Sequence, residues 1–307
     1  MTLRGRAPRL VRAAALAAAV LAPWRALAYD VIVVQSFKNE VYNKVVEGYQ
    51  DTCGGTVTTF TLNKDKQLDE DDLAEIKAKR PAAILAIGAS ALTEILNRKP
   101  PMPVLFTAVT EKPTSTTPAA GVLMTIPMDR QLETLLKIAP GVKSVGVIYN
   151  PAKTQYFVDD LNHAAHAHGI SVNAVVATSD RDAVKDLDTL FPTVDAYIFA
   201  PDLTVHSETL EKAAGIASAK LKKPVIGFKG AQLANGILFA TEMDPLEMGK
   251  QAGEVTHDLL NGRKPATPYV PVKKFKLILN PKVADQMGLK IPAQVASGAT
   301  IYGADNP

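Results

Sequence analysis

The sequence predicts an α/β protein of two lobes, each a parallel sheet covered by helices on both faces. Three observations predict it. Short β-branched runs alternate with helical patterns of about a dozen residues, the signature of βαβ units. The strand-like runs are almost continuously apolar, as strands buried on both faces are. The rhythm halts at a Pro/Thr/Ser-rich stretch, residues 112–118, and then restarts.

The first series begins with a strand at residues 30–34. Residues 40–50 follow with helical spacing at Val41, Val45, Val46 and Tyr49, and Gly54-Gly55 breaks that pattern. Residues 56–61 read as a second strand. Residues 69–79 read as a helix that opens with four acids, Asp69 to Asp72, which suit the positive end of a helix. A strand at 82–87, a helix at 90–97 and a strand at 104–108 close the series, the last strand preceded by Pro100, Pro101 and Pro103.

After the polar stretch, residues 131–138 read as a helix and 144–149 as a strand. A helix at 155–168 ends at Gly169. Residues 172–177, 196–200, 225–228 and 237–240 read as strands, with helices at 180–189 and 207–220 between them. Residues 245–261 read as a helix with Pro245 in its first turn and Gly262 beyond its end, the expected asymmetry. A late strand is predicted at 275–279.

Residues 1–28 stand outside this scheme. Arg4, Arg6, Arg9 and Arg12 form a basic start, residues 13–22 an apolar run, and Ala26-Leu27-Ala28 a small-x-small site. The pattern is that of a secretory signal, with cleavage expected after Ala28, and its apolar run is too short to span a bilayer. Of the chain's 34 basic residues, five lie in this leader, which leaves 29 against 31 acids. The apparent basicity therefore belongs to the leader, and the rest carries no footprint of a nucleic-acid binder. No later segment approaches the ~20 apolar residues of a membrane helix. A periplasmic product is expected. The single cysteine, Cys53, excludes an internal disulfide and is read as structural.

In open parallel sheets, ligands sit beyond the carboxyl ends of the strands, so the residues after each strand carry the information. In the first series these are residues 35–39, then Gly88-Ala89-Ser90, then Thr107 to Thr110. In the second they are Asn150 to Thr154, Pro201 to Thr204, and Lys229-Gly230. The loops are small, polar and rich in helix-capping residues. Backbone N–H groups at helix starts, beside hydroxyls, suit a carboxylate or another anion. Taken singly, Ser90, Asn150 and Asp202 also fit as caps. Convergence of six such loops between two lobes is what argues for a site.

Enzyme motifs are absent: there is no G-x-S-x-G, no Walker loop, and no G-x-G-x-x-G after a strand. His163 and His166 fall on the polar face of their helix and read as solvated. His168 falls on the face of Phe157, Leu161 and Ala165. The acids at 69–72 lack EF-hand spacing. Tyr42, Tyr49, Phe157 and Phe191 sit at core-compatible spacings. No catalytic residue, metal site or cofactor is predicted.

Several segments resemble a known family: Ile84 to Gly88, Pro103 to Val109, Val145 to Pro151, and Met248 to Gly253. They look like the substrate-binding proteins of ABC transporters, within the type I periplasmic-binding group that includes tryptophan- and tyrosine-binding members. The likeness runs through nearly all of the chain after the leader. It implies two Rossmann-like lobes joined by three crossovers, near Pro118, near residues 240–244 and near Val270. The first lobe would hold 29–118 plus 244–270, and the second 119–243 plus 271–307. A small organic ligand would lie between the lobes, and hinge closure around it would present a surface to a membrane permease. A monomer is expected.

The family's binding positions map onto Ser36, Phe37, Asn39, Ala89, Ser90, Thr107, Ala108, Asn150, Thr154, Asp202, Thr204, Phe228 and Lys229. Residues 88–90 with Thr107-Ala108 would hold a carboxylate. Two departures stand out. Asn39-Glu40 replaces a frequent His-Pro. Lys229 occupies a place where an acid, suited to a ligand ammonium, is common. Three readings of Lys229 stay open: a more anionic ligand, a pairing with Glu242 or Asp202, or a side chain turned to solvent. The resemblance implies an importer's solute receptor for an amino acid or organic anion. A sensing module for a membrane signalling receptor is the alternative, and a periplasmic enzyme the least supported.

Overall fold

The computed structural model describes residues 29–110, 113, 119–263 and 267–303. The leader, its cleavage site and the Pro118 crossover lie outside the described residues.

The chain opens with β1 (Asp30–Gln35), α1 (Glu40–Thr52), β2 (Thr56–Thr61), α2 (Glu70–Lys79), β3 (Ala83–Ile87), α3 (Ala89–Arg98), β4 (Val104–Val109) and β5 (Ala119–Leu123). It continues with α4 (Met128–Ile138), β6 (Ser144–Tyr149), α5 (Pro151–Ala167), β7 (Ser171–Val176), α6 (Asp180–Leu190), β8 (Ala196–Ile198), α7 (Glu208–Leu221), β9 (Val225–Gly227) and β10 (Phe239–Met243). Then come α8 (Pro245–Leu260), β11 (Tyr269–Pro271), β12 (Phe275–Leu279), α9 (Pro281–Met287), α10 (Ala293–Ala296) and β13 (Thr300–Ile301).

Two sheets result. The first has the order β11-β5-β4-β3-β1-β2, and the second β13-β12-β10-β9-β8-β6-β7. The pairs are parallel except β10 with β12, which run antiparallel. Both faces of each sheet are covered. In the first sheet Ile32, Val34, Ile84 and Ala86 enter one core, while Val31, Val33, Leu85 and Ile87 enter the other. In the second, Val145, Val147 and Ile198 face one core, and Ile148, Tyr197 and Phe199 the other. Period-two alternation between two dry faces is why these strands read as unbroken apolar runs. Each fully buried Val, Leu or Ile contributes about 1.5–3 kcal/mol.

The chain passes between the sheets three times within the described residues. After β5, in the first sheet, it enters α4, whose Leu132, Leu135 and Ile138 pack in a second-sheet core. After β10 it enters α8, which packs on α1 against the first sheet. Between β11 and β12 it returns to the second sheet. One expectation needs correcting. Residues 119–123, placed at the start of the second lobe, form β5 and pair with β4 and β11 in the first sheet. The boundary at residue 118 is therefore too early.

Glycine permits the close approach of α1 and α8. A methyl at Gly249 would run into the Val45 carbonyl, and one at Gly48 into the Leu246 carbonyl. Polar bonds seal the contact: Thr52 Oγ1 donates to Lys250 O at 2.8 Å, and the buried Tyr49 hydroxyl donates to Thr256 Oγ1 at 3.0 Å. Cys53 is buried just beyond α1, and burial pushes its thiol pKa up.

Candidate functional site

The residues after the strands gather into one cluster at each sheet's carboxyl edge. In the first, β1 ends at Gln35 and Ser36 ties the strand end to α3. Ser36 Oγ donates to Ile87 O at 3.1 Å and accepts from Ala91 N at 2.9 Å. Asn39 caps α1, its Oδ1 accepting from Tyr42 N at 2.7 Å. Phe37 is 52% exposed and stacks on Tyr42, with centroids 4.7 Å apart. Gly88 sits at φ 90°, and a side chain there would collide with the Tyr42 hydroxyl and Ser36 Oγ. That glycine lets Tyr42 lie over the start of α3. Burial raises the Tyr42 pKa, so its phenol stays protonated.

Ala89 and Ser90 form the first turn of α3, with Ala89 exposed and Ser90 half-buried. Gly88 is the N-cap, and the side-chain cap comes from outside the helix, from Ser36 Oγ on Ala91 N. Ser90 is thus not the cap that its position allowed. First-turn N–H groups of a helix have no intrahelical acceptor. Beside them, Thr107 lies fully buried within β4, opposite Ile87 at the end of β3, and its Oγ1 has no hydrogen-bond partner among the described residues. Ala108 follows at φ 56°, in a register shift between Phe106 and Val109. A left-handed alanine costs about 1 kcal/mol or more, and such strain gathers at functional positions.

In the second cluster Asp202 is the hub. It is 2% exposed. Oδ2 accepts from Asn150 N at 3.1 Å and Thr154 Oγ1 at 2.8 Å. Oδ1 accepts from Thr204 N at 2.9 Å and Thr204 Oγ1 at 2.6 Å. Asn150 Nδ2 also donates to Thr204 Oγ1 at 3.1 Å, and its Oδ1 caps α5 through Ala152 N. Burial alone would raise the Asp202 pKa, but these bonds, led by Thr204, outweigh it and hold the carboxyl below its ordinary value. The four residues lock the turn after β6 to the turn after β8.

Phe228 is half-buried and Lys229 exposed at the end of β9. Lys229 Nζ lies 5.5 Å from the Phe228 ring centroid. Among the described residues Lys229 makes no ion pair. Glu242 instead accepts from Gly230 N at 2.6 Å, and Asp202 is filled by the bonds above. Of the three readings of Lys229, the pairing with Glu242 or Asp202 is not made among the described residues; the side chain is exposed, which is compatible both with a turn to solvent and with a more anionic ligand.

The histidines behave as their wheel positions dictate. His163 and His166 are exposed, and His168 Nε2 sits 3.7 Å from Asp129 Oδ1. Tyr49, Phe157 and Phe191 are core residues, but Tyr42 is only half-buried and floors the first cluster. Sequence reasoning missed that role. It also missed Gln232, whose Oε1 accepts from both Phe228 N and Lys229 N. Neither residue immediately follows a strand, so the strand-end rule passes over both.

A recess of about 540 Å³ lies between the two sheets. Thr110, Leu123 and Thr125 line it from the first, and Pro151, Gln155 and Tyr156 of α5 from the second. Its lining includes none of the residues of the two clusters; Thr110 and Pro151 are the lining residues nearest to them in sequence, two after Ala108 and one after Asn150. A recess of about 580 Å³ opens at the opposite, amino-terminal ends of β3 and β4, between α2 and α3, and is walled by Leu68, Ile76, Ile84 and Ile95. It shares no residue with either cluster.

Comparison with known proteins gives a consistent result. A family described as ABC transporter substrate binding protein matches residues 46–301. A tyrosine-binding protein of Clostridioides difficile is 22% identical over 255 residues, 76% of this chain and 71% of that protein. A ligand-free, open substrate-binding protein with adhesive properties from Clostridium difficile superposes with a TM-score of 0.68 at 18% identity, covering 89% of this chain and 99% of the other. An ABC domain in complex with L-Trp from Streptococcus pneumoniae superposes at 0.56 and 20% identity with the same coverage. The fold is that of the type I periplasmic-binding proteins.

Proposed function

The chain belongs to the ABC transporter substrate-binding protein family, and on that premise we propose that it is the exported receptor of an ABC importer. It takes a small organic ligand between two lobes, closes on it, and hands it unaltered to a membrane permease. The lobes are the two sheets with their helices. The first holds β1 to β5, α8 and β11, and the second α4 to β10 and everything from β12 onward. The periplasm is the compartment that the basic, apolar, small-x-small leader supports.

The observation that carries this reading is the placement of one polar cluster at the carboxyl edge of each sheet, with a recess of about 540 Å³ between the sheets. A ligand touching both clusters gains contacts only when the lobes approach, so it favours the closed state by that difference in affinity. The first cluster offers the Ala89 and Ser90 N–H groups that open α3, the Thr107 hydroxyl, unpartnered among the described residues, and the Phe37–Tyr42 ledge. The second offers Lys229 and the Asn150–Thr204 turns. Helix N–H groups and an ammonium suit a carboxylate, and an aromatic ledge suits a ring.

We therefore propose a carboxylate-bearing ligand with an aromatic or apolar body. An aromatic amino acid is the first candidate, supported by the tyrosine-binding relative and the L-Trp complex. Native mass spectrometry of freshly purified protein tests this directly, because cleft ligands survive gentle purification. Calorimetry with L-tyrosine, L-tryptophan and their deaminated acids then ranks the class. Small-angle scattering should show compaction on binding. Compaction with none of a broad metabolite set would overturn the reading.

A further inference from the structure

We propose that Gln232, Glu211 and His206 are the positioning residues of the edge formed by Phe228 and Lys229, and that a proton on His206 loosens that edge. The proposal rests on reading Phe228 and Lys229 as ligand contacts.

The edge hangs on one side chain. Phe228 N and Lys229 N both donate to Gln232 Oε1, at 2.7 and 2.9 Å, and Gln232 is 1% exposed. With its oxygen so used, the amide must turn its nitrogen the other way. Gln232 Nε2 donates to Glu211 Oε1 at 3.1 Å. The same oxygen stands 2.6 Å from His206 Nε2, and Glu211 Oε2 accepts from Asn235 Nδ2 at 2.7 Å. A carboxylate that close assigns the imidazole proton to Nε2 in the neutral ring. Gln232 Nε2, 3.1 Å from that same ring nitrogen, then has Glu211 as its acceptor.

This tautomer leaves Nδ1 as a bare lone pair, and Nδ1 is buried without a partner among the described residues. The ring is packed edge-on between Phe199, at 5.0 Å, and Phe228, at 4.8 Å. A second proton would go to Nδ1, where no acceptor waits among the described residues. Glu211 on α7 and Asp202 in the turn after β8 favour the cation, Lys229 after β9 opposes it, and burial opposes it most, holding His206 below its ordinary pKa. A lowered histidine pKa means that the packed arrangement is complete above the ordinary value of about 6.5 and is lost as pH falls below it. Hydrating the new N–H requires the ring to move, and Phe228 lies against it.

The test uses the full soluble protein, isotopically labelled, without added ligand. In the wild type, the His206 ring nitrogens and the backbone amides of Phe228 and Lys229 should titrate with one shared midpoint below 6.5. In His206→Asn that amide movement should vanish. In Gln232→Met at pH 7.5, hydrogen exchange at the two amides should rise at least tenfold while Ile226 keeps its protection. Amides that ignore the His206 midpoint, or that move equally in His206→Asn, overturn the proposal, and this arm stands even if Gln232→Met does not fold. Calorimetry with L-tyrosine at pH 7.5 adds a second reading. Tenfold weaker binding by Gln232→Met supports the proposal, and equal binding overturns it. Failure of the wild type to bind L-tyrosine counts against the ligand class alone, since the amide titration needs no ligand.

Discussion

Thr154 stands at φ −133°, ψ 27°, outside helical geometry, and its Oγ1 donates to Asp202 Oδ2 at 2.8 Å. The kink in the first turn of α5 is thus coupled to a carboxylate 48 residues away, which also gathers Asn150 and Thr204. Its place after a strand marks Asp202, from sequence, as a group facing a ligand. Its four bonds make it the brace that shapes the second cluster, with neither oxygen left for a ligand ammonium.

Asp202→Ala should therefore act on stability first. It strands buried donors and removes hydrogen bonds to a charge, worth about 2–4 kcal/mol together. Urea unfolding of the wild type and variant measures the gap. The sign with pH follows from the lowered pKa. The charge-linked part of the contribution is complete above the ordinary carboxylate value and is lost as pH falls through the lower folded one, so the gap should begin to narrow below about pH 4. A gap unchanged at pH 3 would remove Asp202 from this role.

Gly249→Ala probes the crossing of α1 and α8. The new methyl meets backbone, which cannot swing aside, so overpacking should cost about 1–3 kcal/mol in thermal or urea unfolding. Gly141→Ala is the control. A Cβ there meets nothing within 4 Å, and stability should stay within about 0.5 kcal/mol. Equal effects at the two sites would mean that the close approach is not what Gly249 provides.

The layered α/β plan was legible because buried parallel strands advertise themselves: Ile32 and Val34 on one face and Val31 and Val33 on the other leave no polar gap. β5 was not legible. Ala119, Ala120 and Gly121 have poor strand propensity, and β4 and β11 recruit them through pairing partners distant in sequence. β11 is three residues long and ends in proline, below the threshold of any periodicity. For the candidate site, strand-end position singles out Ser36, Thr107, Asn150 and Asp202. What each one bonds was hidden, because Ser36 meets Ala91 and Asn150 meets Asp202 across more than 50 residues. Tyr42 and Gln232 carry no local signal, since only the folded turn brings them under Phe37 and Phe228.

Phe37→Ala separates ligand contact from scaffold. Its ring is 52% exposed and rests on Tyr42, so removing it should move stability by no more than about 0.5 kcal/mol. A ring stacked on that ledge would lose apolar and aromatic contact together. Affinity for an aromatic amino acid should fall about tenfold, equivalent to about 1.4 kcal/mol, by calorimetry. Unchanged affinity for a ligand that the protein does bind would take Phe37 out of the site.

Thr107→Val is the sharpest of these tests, because its two readouts should move in opposite directions. The Thr107 hydroxyl is fully buried in β4 and has no partner among the described residues. An isosteric methyl removes that unpaired group without opening a cavity, so the ligand-free protein should gain about 1 kcal/mol in urea unfolding. If the hydroxyl waits for a ligand carboxylate, ligand affinity should fall in the same variant. Greater stability with unchanged affinity would make Thr107 a scaffold residue. Lower stability would mean that an internal acceptor for the hydroxyl exists after all, and the carboxylate cradle would then rest on the α3 amides alone.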